Sequence, residues 1–106
     1  MGLCSYKNDE PVVLVTGGAL RIGAGIAELF HSRGFNIVIS FNQSNEAATM
    51  LTEKLNRVRP ESAHSIKANL ALSEEVSALA QKALIWKGHV DILINNASSF
   101  YPTPFL

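Results

Sequence analysis

Cysteine is nearly absent from the chain: Cys4 is the only one among 106 residues, so no intrachain disulfide can form. No apolar run approaches the roughly 20 residues that a membrane-spanning helix requires. Neither charge is in excess, because nine basic residues balance nine acidic ones, and no lysine or arginine cluster occurs. These absences exclude a disulfide-stabilised domain and argue against nucleic acid or an anionic membrane as the partner.

The first ten residues also lack the apolar core of a signal peptide, so residues 1–10 are interpreted as a disordered leader. A reducing cytoplasm is therefore the expected location. The remaining composition is that of a globular protein, since hydrophobic residues make up 47% and charged residues 17% of the chain. Residues 11–106 are accordingly assigned to one domain.

Short apolar runs alternate with segments whose apolar residues have helical spacing. The alternation predicts strands at 12–16, 35–40, 63–68 and 90–95, with helices between them that end near Gly34, Val58 and Gly88. The first, second and fourth strands are almost continuously apolar, which is typical of a parallel sheet covered by helices on both faces. The fold class is therefore α/β, the β-α-β-α-β-α-β portion of a Rossmann-like doubly wound sheet with strand order 3-2-1-4.

Each predicted helix has an apolar face that we expect to point toward the sheet. The expected inward residues are Ile22, Ile26, Leu29 and Phe30, then Ala47, Ala48, Leu51, Leu55 and Val58, then Val76, Leu79, Ala80 and Ala83. Ser44 and Ser73 are expected to cap the second and third helices. His31 is interpreted as a surface residue. In this order the fourth strand is an open edge, and the third helix alone covers one face.

The loop after the first strand reads TGGALRIGAG, residues 16–25. Gly17 and Gly18 allow a ligand to approach the backbone closely, while Gly23 and Gly25 lie where N–H groups at a helix start favour a phosphate. A strand, glycines and a helix within a βαβ unit are the context that a dinucleotide-binding loop needs. A glycine-rich turn without a ligand is the alternative.

Thr16, Gly17 and Gly23 fit the pattern T-G-x-x-x-G-x-G of the short-chain dehydrogenase/reductase family, which the chain resembles. Arg21 stands at the middle glycine and Ile22 follows it, a variation similar to the pteridine reductases. The resemblance implies that all five residues bind the cofactor and that Arg21 also borders the substrate. A guanidinium can form two hydrogen bonds to phosphate oxygens, although a solvated loop arginine is the alternative.

The stretch DILINNA, residues 91–97, carries the resemblance further, and its continuation SSFYPTP is similar to the pteridine reductases. The resemblance implies that Asn96, Ala97 and Ser98 contact the cofactor, that Ser98 also contacts the substrate, and that Phe100 stacks on a pterin. Taken alone, the two asparagines should bond to neighbouring backbone, because they end a buried strand. Phe100 as an ordinary core aromatic is the alternative.

The end of the second strand bears on the choice between NAD and NADP. Ser40, Asn42, Gln43 and Ser44 are neutral, and no carboxylate occurs between the end of this strand and Glu46. A carboxylate here would bind a ribose 2′-hydroxyl, so its absence favours NADP(H) bound by these four residues. NADH stays an alternative, because Gln43 occupies the position at which the resemblance implies arginine.

The stretch KANLA follows the third strand and places Asn69 where the family has an acidic residue near the adenine. The amide of Asn69 carries both a donor and an acceptor, so the resemblance implies that Asn69 and Leu70 still border the adenine.

The family's catalytic tyrosine and lysine, four residues apart, have no counterpart in this chain. Tyr6 and Tyr101 are its only tyrosines, and Glu10 and Phe105 stand four residues after them. The resemblance therefore implies the cofactor-binding part of an NADPH-dependent oxidoreductase that reduces a pterin or folate, without a catalytic residue of its own. We expect the pair beyond residue 106 and no activity from the chain alone.

Two other functions stay open. One is a truncated, non-catalytic nucleotide-binding module, and the other is a short-chain reductase for a ketone or acyl thioester. The resemblance implies a small-molecule substrate and a homo-oligomeric parent enzyme. No metal is expected, because the three histidines lack metal-ligand spacing to cysteine or carboxylates.

Overall fold

A computed structural model of the chain describes residues 10–96, so most of the predicted leader and the stretch from Ala97 onward lie outside the described residues. Seven elements follow one another in the predicted order. They are β1 (Val12–Thr16), α1 (Arg21–Ser32), β2 (Asn36–Phe41), α2 (Asn45–Val58), β3 (Ala63–Lys67), α3 (Ser73–Lys87) and β4 (Ile92–Asn95). The strands are parallel and form one sheet in the order β3-β2-β1-β4, which confirms the predicted Rossmann-like α/β class and strand order.

β1 lies inside the sheet between β2 and β4, and each of its residues is buried. Val13 is paired with Ile37 of β2 on one side and with Ile92 of β4 on the other. Branched side chains pack well on both faces of such a central strand, which explains why this run of valine and leucine forms the core of the sheet.

The two faces of the sheet have separate cores, as predicted from the strand order. Val13, Val15 and Ile39 pack beneath α1 and α2, whereas Leu14 and Val38 pack with α3 on the opposite face. Alternate residues of one strand therefore belong to different cores, because successive side chains of a strand point to opposite faces.

The predicted inward face of α1 is partly wrong. Ile22 is 73% exposed and Leu29 is 53% exposed, while Gly23, Ala27 and His31 are buried. The buried positions are four residues apart, so they form a single stripe. Glycine and alanine bring the helix close to the sheet, and this close contact turns the larger side chains outward.

The interpretation of His31 as a surface residue is wrong, because its side chain is only 3% exposed. The ring contacts the hydroxyl of Ser62, a residue that immediately precedes β3. Val58 was expected inside but is 73% exposed. Beside it, Arg59 turns inward and donates to the carbonyl oxygens of His31 and Phe35.

β4 is only partly buried, because within residues 10–96 it is paired on one side alone, in agreement with the predicted open edge. Both capping expectations need correction. Ser44 occupies the N-cap position of α2 but makes no capping hydrogen bond there. Ser73 is the first residue of α3 and not its cap, which is Leu72. None of the described helices has the length and hydropathy needed to cross a membrane.

Candidate functional site

A groove of about 410 Å3 lies at the carboxyl end of the strands, between the loops that follow β1 and β2. Its lining residues are Gly17, Ala19, Leu20, Ser40, Phe41, Asn42, Gln43 and Ser44. Within the sheet, β2 and β3 lie on one side of β1 and β4 lies on the other, so the strand order reverses at β1. Open α/β sheets bind ligands beside such a reversal.

Two glycines of the β1–α1 loop lie where a larger residue would not fit. A Cβ atom on Gly18 would lie 2.7 Å from Cγ2 of Ile39. A Cβ atom on Gly23 would collide with the carbonyl oxygen of Gly17 and would lie 2.7 Å from Nδ2 of Asn96. These contacts bring the start of α1 against the end of the sheet. Gly25, by contrast, faces open space.

The peptide groups of Gly17 are fixed by side chains from both neighbouring strands. Its N–H donates to Oγ of Ser40 at 3.2 Å, and its carbonyl oxygen accepts from Nδ2 of Asn96 at 3.1 Å. Gly17 has φ of 65°, a conformation that glycine adopts without strain. The first turn of the loop is therefore held in a defined shape next to the groove.

Thr16 joins the ends of β1 and β4. Its hydroxyl donates to Oδ1 of Asn95 at 2.9 Å and accepts from the N–H of Asn96 at 2.9 Å. Thr16 is fully buried. The structural role expected for the two asparagines thus agrees with their contacts, although Asn95 contacts a side chain rather than backbone. Sequence reasoning missed this hydroxyl link, because it depends on the β1–β4 register.

Arg21 begins α1 with φ of 54° and has an exposed side chain. Among residues 10–96 its guanidinium has no hydrogen-bonding or ionic partner, and the neighbouring Ile22 is exposed as well. Both side chains are therefore accessible to a ligand that lies at the start of α1.

The wall of the groove formed after β2 is neutral and polar. Asn42 and Gln43 are exposed, Ser44 is half-buried, and none of these side chains is hydrogen-bonded within the described part of the chain. No residue that lines the groove carries a charge. An anionic group would meet unused amide and hydroxyl donors here and no carboxylate.

The remaining predicted residues lie apart from the groove lining. The backbone N–H of Asn69 donates to Oε1 of Glu75 at 2.7 Å, and its Oδ1 accepts from the N–H of Ala71 at 3.0 Å. Leu70 packs against the core beneath α3. Ala97, Ser98 and Phe100 lie outside the described residues.

The described residues contain no group of three histidine, cysteine, aspartate or glutamate side chains that could hold a metal ion. The buried pair of His31 and Ser62 lies away from the groove, because His31 is near the end of α1 and Ser62 immediately precedes β3. The site is thus made of backbone, amide and hydroxyl groups with one accessible guanidinium, a composition suited to binding and orienting a ligand.

Known proteins match the chain across its described fold. A family profile described as short chain dehydrogenase matches residues 11–106. Pteridine reductase 1 of Leishmania tarentolae is 38% identical over 91% of this chain and 39% of its own length. The diacetyl reductase [(S)-acetoin forming] of Staphylococcus epidermidis is 36% identical over 88% of this chain and 35% of its own length.

A hydroxynaphthalene reductase-like protein, Arp2 of Metarhizium brunneum, is 35% identical over 83% of this chain and 33% of its own length. The chain therefore spans about two fifths or less of the length of these relatives.

Proposed function

Because the chain belongs to the short-chain dehydrogenase family, we propose that residues 11–106 are the cofactor-binding part of an NADPH-dependent oxidoreductase. One observation carries the proposal: the β1–α1 loop is fixed at Gly17 by two strands and borders a groove without charged lining residues. The relatives are longer, so the proposal places the rest of the catalytic domain, with its tyrosine and lysine, after residue 106.

The residues around the loop fit a dinucleotide. Gly23 lets the start of α1 approach the backbone of Gly17, and a helix start attracts a pyrophosphate through its unpaired N–H groups. Arg21 is accessible and always charged, so it can pair with the same phosphates. Gly17 and Ile22 would border the pyrophosphate. Thr16 would support the loop indirectly, because its hydroxyl joins β1 to β4.

The preference for NADP(H) rests on the neutral wall after β2. Asn42, Gln43 and Ser44 offer donors that have no other partner among residues 10–96, and Ser40 lies behind them. A 2′-phosphate would be hydrogen-bonded there and not repelled, whereas the 2′-hydroxyl of NADH would gain less. Asn69 and Leu70 are proposed to border the adenine at the next strand end.

The proposed substrate is a pterin or folate. Two observations support this substrate. One relative is named pteridine reductase 1, and the sequence has Arg21, Ser98 and Phe100 at the positions where the resemblance implies contact with a pterin. Asn96, Ala97 and Ser98 would continue the cofactor wall from β4. When bound, the nicotinamide would supply a hydride for the reduction of a C=N bond, while Arg21, Ser98 and Phe100 would orient the flat ring.

A carbonyl substrate is the second candidate, because a diacetyl reductase matches nearly as much of the chain. A non-catalytic nucleotide-binding module is the third, because no catalytic pair lies within these 106 residues. We also propose a cytoplasmic location and a homo-oligomeric parent enzyme.

Two measurements test this function. Fluorescence titrations of the purified chain should give tighter binding of NADPH than of NADH, and the chain should not oxidise NADPH when dihydropterin is added. Equal affinity for both cofactors would contradict the NADP preference, and dihydropterin-dependent oxidation would contradict the absence of a catalytic group.

The intact mass of the gene product in its own cell tests the proposed longer enzyme. A mass well above 11.5 kDa supports it, and a mass equal to 11.5 kDa favours the non-catalytic module.

A further inference from the structure

We propose that Ser40 is a positioning residue, which links a nucleotide in the groove to the peptide group of Gly17. The inference rests on the proposed function, because the ligand is the adenosine phosphate half of a nicotinamide dinucleotide. Its new content is the mechanism: Ser40 acts on the ligand-binding loop through Gly17 and so couples occupancy of the groove to the shape of that loop.

Ser40 lies near the end of β2 and contacts two successive amides of the loop. The N–H of Gly17 donates to its Oγ at 3.2 Å, and the N–H of Gly18 donates to its carbonyl oxygen at 3.1 Å. Ser40 is only 2% exposed, so water cannot easily replace either contact. Ser40 therefore holds two successive N–H groups of the loop from the β2 side.

The hydroxyl proton of Ser40 has no acceptor among residues 10–96, although a serine hydroxyl can donate one hydrogen bond while it accepts another. Ser40 also lines the groove. A buried donor without an acceptor costs free energy, and an oxygen atom of a bound nucleotide would remove that cost. The groove thus contains an unused donor that is already connected to the loop.

Ligand binding should strengthen the contact with Gly17. A hydroxyl that donates a hydrogen bond becomes a better acceptor, because hydrogen bonds in a chain polarise one another. The nucleotide, the Ser40 hydroxyl and the Gly17 N–H would form such a chain. Asn96 donates to the carbonyl oxygen of Gly17, which belongs to the next peptide group, and would still hold that side of Gly17 when the Ser40 contact is removed.

The experiment combines calorimetric titration of the full chain with 2′,5′-ADP and amide hydrogen exchange at Gly17, followed by NMR. Ser40→Ala should weaken binding about threefold to tenfold, and Ser40→Thr, which keeps the hydroxyl, should restore most of the affinity. Saturation with 2′,5′-ADP should slow exchange at Gly17 in the wild-type chain but not in Ser40→Ala.

Ser65→Ala is the matched control, because Ser65 lies in β3, lines no part of the groove and makes no side-chain hydrogen bond among the described residues. Exchange at Gly34, whose N–H donates to the carbonyl oxygen of His31 at 3.1 Å, should not change in any variant. If Ser40→Ala does not fold, the wild-type exchange at Gly17 with and without ligand still decides the question.

Equal affinity of Ser40→Ala and the wild-type chain would overturn the inference, as would unchanged Gly17 exchange on saturation. Either result leaves the proposed function intact, since the wild-type chain still binds the nucleotide. Failure of the wild-type chain to bind 2′,5′-ADP at millimolar concentration would instead overturn the proposed function and this inference with it.

Discussion

Nε2 of His31 lies 2.6 Å from Oγ of Ser62, inside the fold and 31 residues away along the chain. The Ser62 hydroxyl also reaches the carbonyl oxygens of Leu55 and Arg59, so it donates to a carbonyl and accepts from the imidazole N–H. The pair connects the end of α1 to the segment between α2 and β3. It holds the His31 ring in a buried place.

Stability should fall as the pH falls below about 6.5. Burial, and secondarily the Arg59 guanidinium, lower the pKa of His31 from its usual 6.5. The unfolded chain therefore binds a proton more readily than the folded chain, and acid favours unfolding, by at most about 1.4 kcal/mol per pH unit for one proton. Urea unfolding between pH 5 and 8 measures this slope.

His31→Gln keeps a donor for Ser62 but cannot titrate, so its pH dependence should be flatter. Burial also lowers the pKa of His64, which stacks on Trp86. His64→Gln measures the separate contribution of His64 to the pH dependence of stability. A slope that is the same in wild type and His31→Gln would contradict the assignment to His31.

Gly23→Ala should damage the loop and the binding of NADPH. Its methyl group would meet the Gly17 carbonyl oxygen and the amide of Asn96, and such overpacking costs about 1–3 kcal/mol. Gly25→Ala is the matched control two residues away in the same helix, where the methyl group meets nothing. It should be neutral or stabilise by about 0.5–1 kcal/mol.

Thermal unfolding and NADPH titration of the two variants check this prediction. Tight NADPH binding by Gly23→Ala, or thermal stability of Gly23→Ala equal to that of Gly25→Ala, would show that the loop does not approach the sheet as described.

Arg59→Met should destabilise the fold by about 2 kcal/mol, because it removes two hydrogen bonds from a charged group to the carbonyl oxygens of His31 and Phe35. Arg59→Lys should restore little, since an ammonium group cannot reproduce the planar fork. Arg57→Met is the control, because Arg57 is exposed on α2. Equal urea midpoints for the two methionine variants would refute the prediction.

A carboxylate placed in the wall after β2 should discriminate against NADPH. Ser44→Asp puts a negative charge in the groove, and repulsion of the 2′-phosphate should weaken NADPH binding about tenfold while NADH binding changes little. Thr49→Asp adds the same charge to an exposed position of α2 that does not line the groove. An equal loss of affinity for NADPH and NADH in Ser44→Asp would contradict the placement of the 2′-phosphate beside Ser44.

The elements and their order were predictable because β-branched runs and helical spacing are local signals. The orientation of α1 was not, because Ile22 and Leu29 are more apolar than Gly23 and Ala27, yet the smaller residues contact the sheet. Close packing, and not hydrophobicity alone, decided which side of the helix is buried. The burial of His31 needed a partner in another element, which no local pattern shows.

The glycine-rich loop was also predictable, since its glycines follow a strand and precede a helix. The contacts that fix it were not, because they depend on the register of three strands. Ser40 reaches Gly17 from β2, and Asn96 reaches it from the end of β4. Sequence reasoning assigned Ser40 to the cofactor and could not show that its oxygen contacts the loop.

The most direct test of the account is an NMR titration of the chain with NADPH, which follows every assigned backbone amide. We predict saturable shifts at Gly17, Gly23, Asn42 and Ser44, around the groove, and none at Gly34 or Gly88, which follow α1 and α3 at the opposite end of the strands. Saturable shifts confined to residues away from the groove, or no shifts at millimolar NADPH, would contradict the claim that this fold binds the cofactor there.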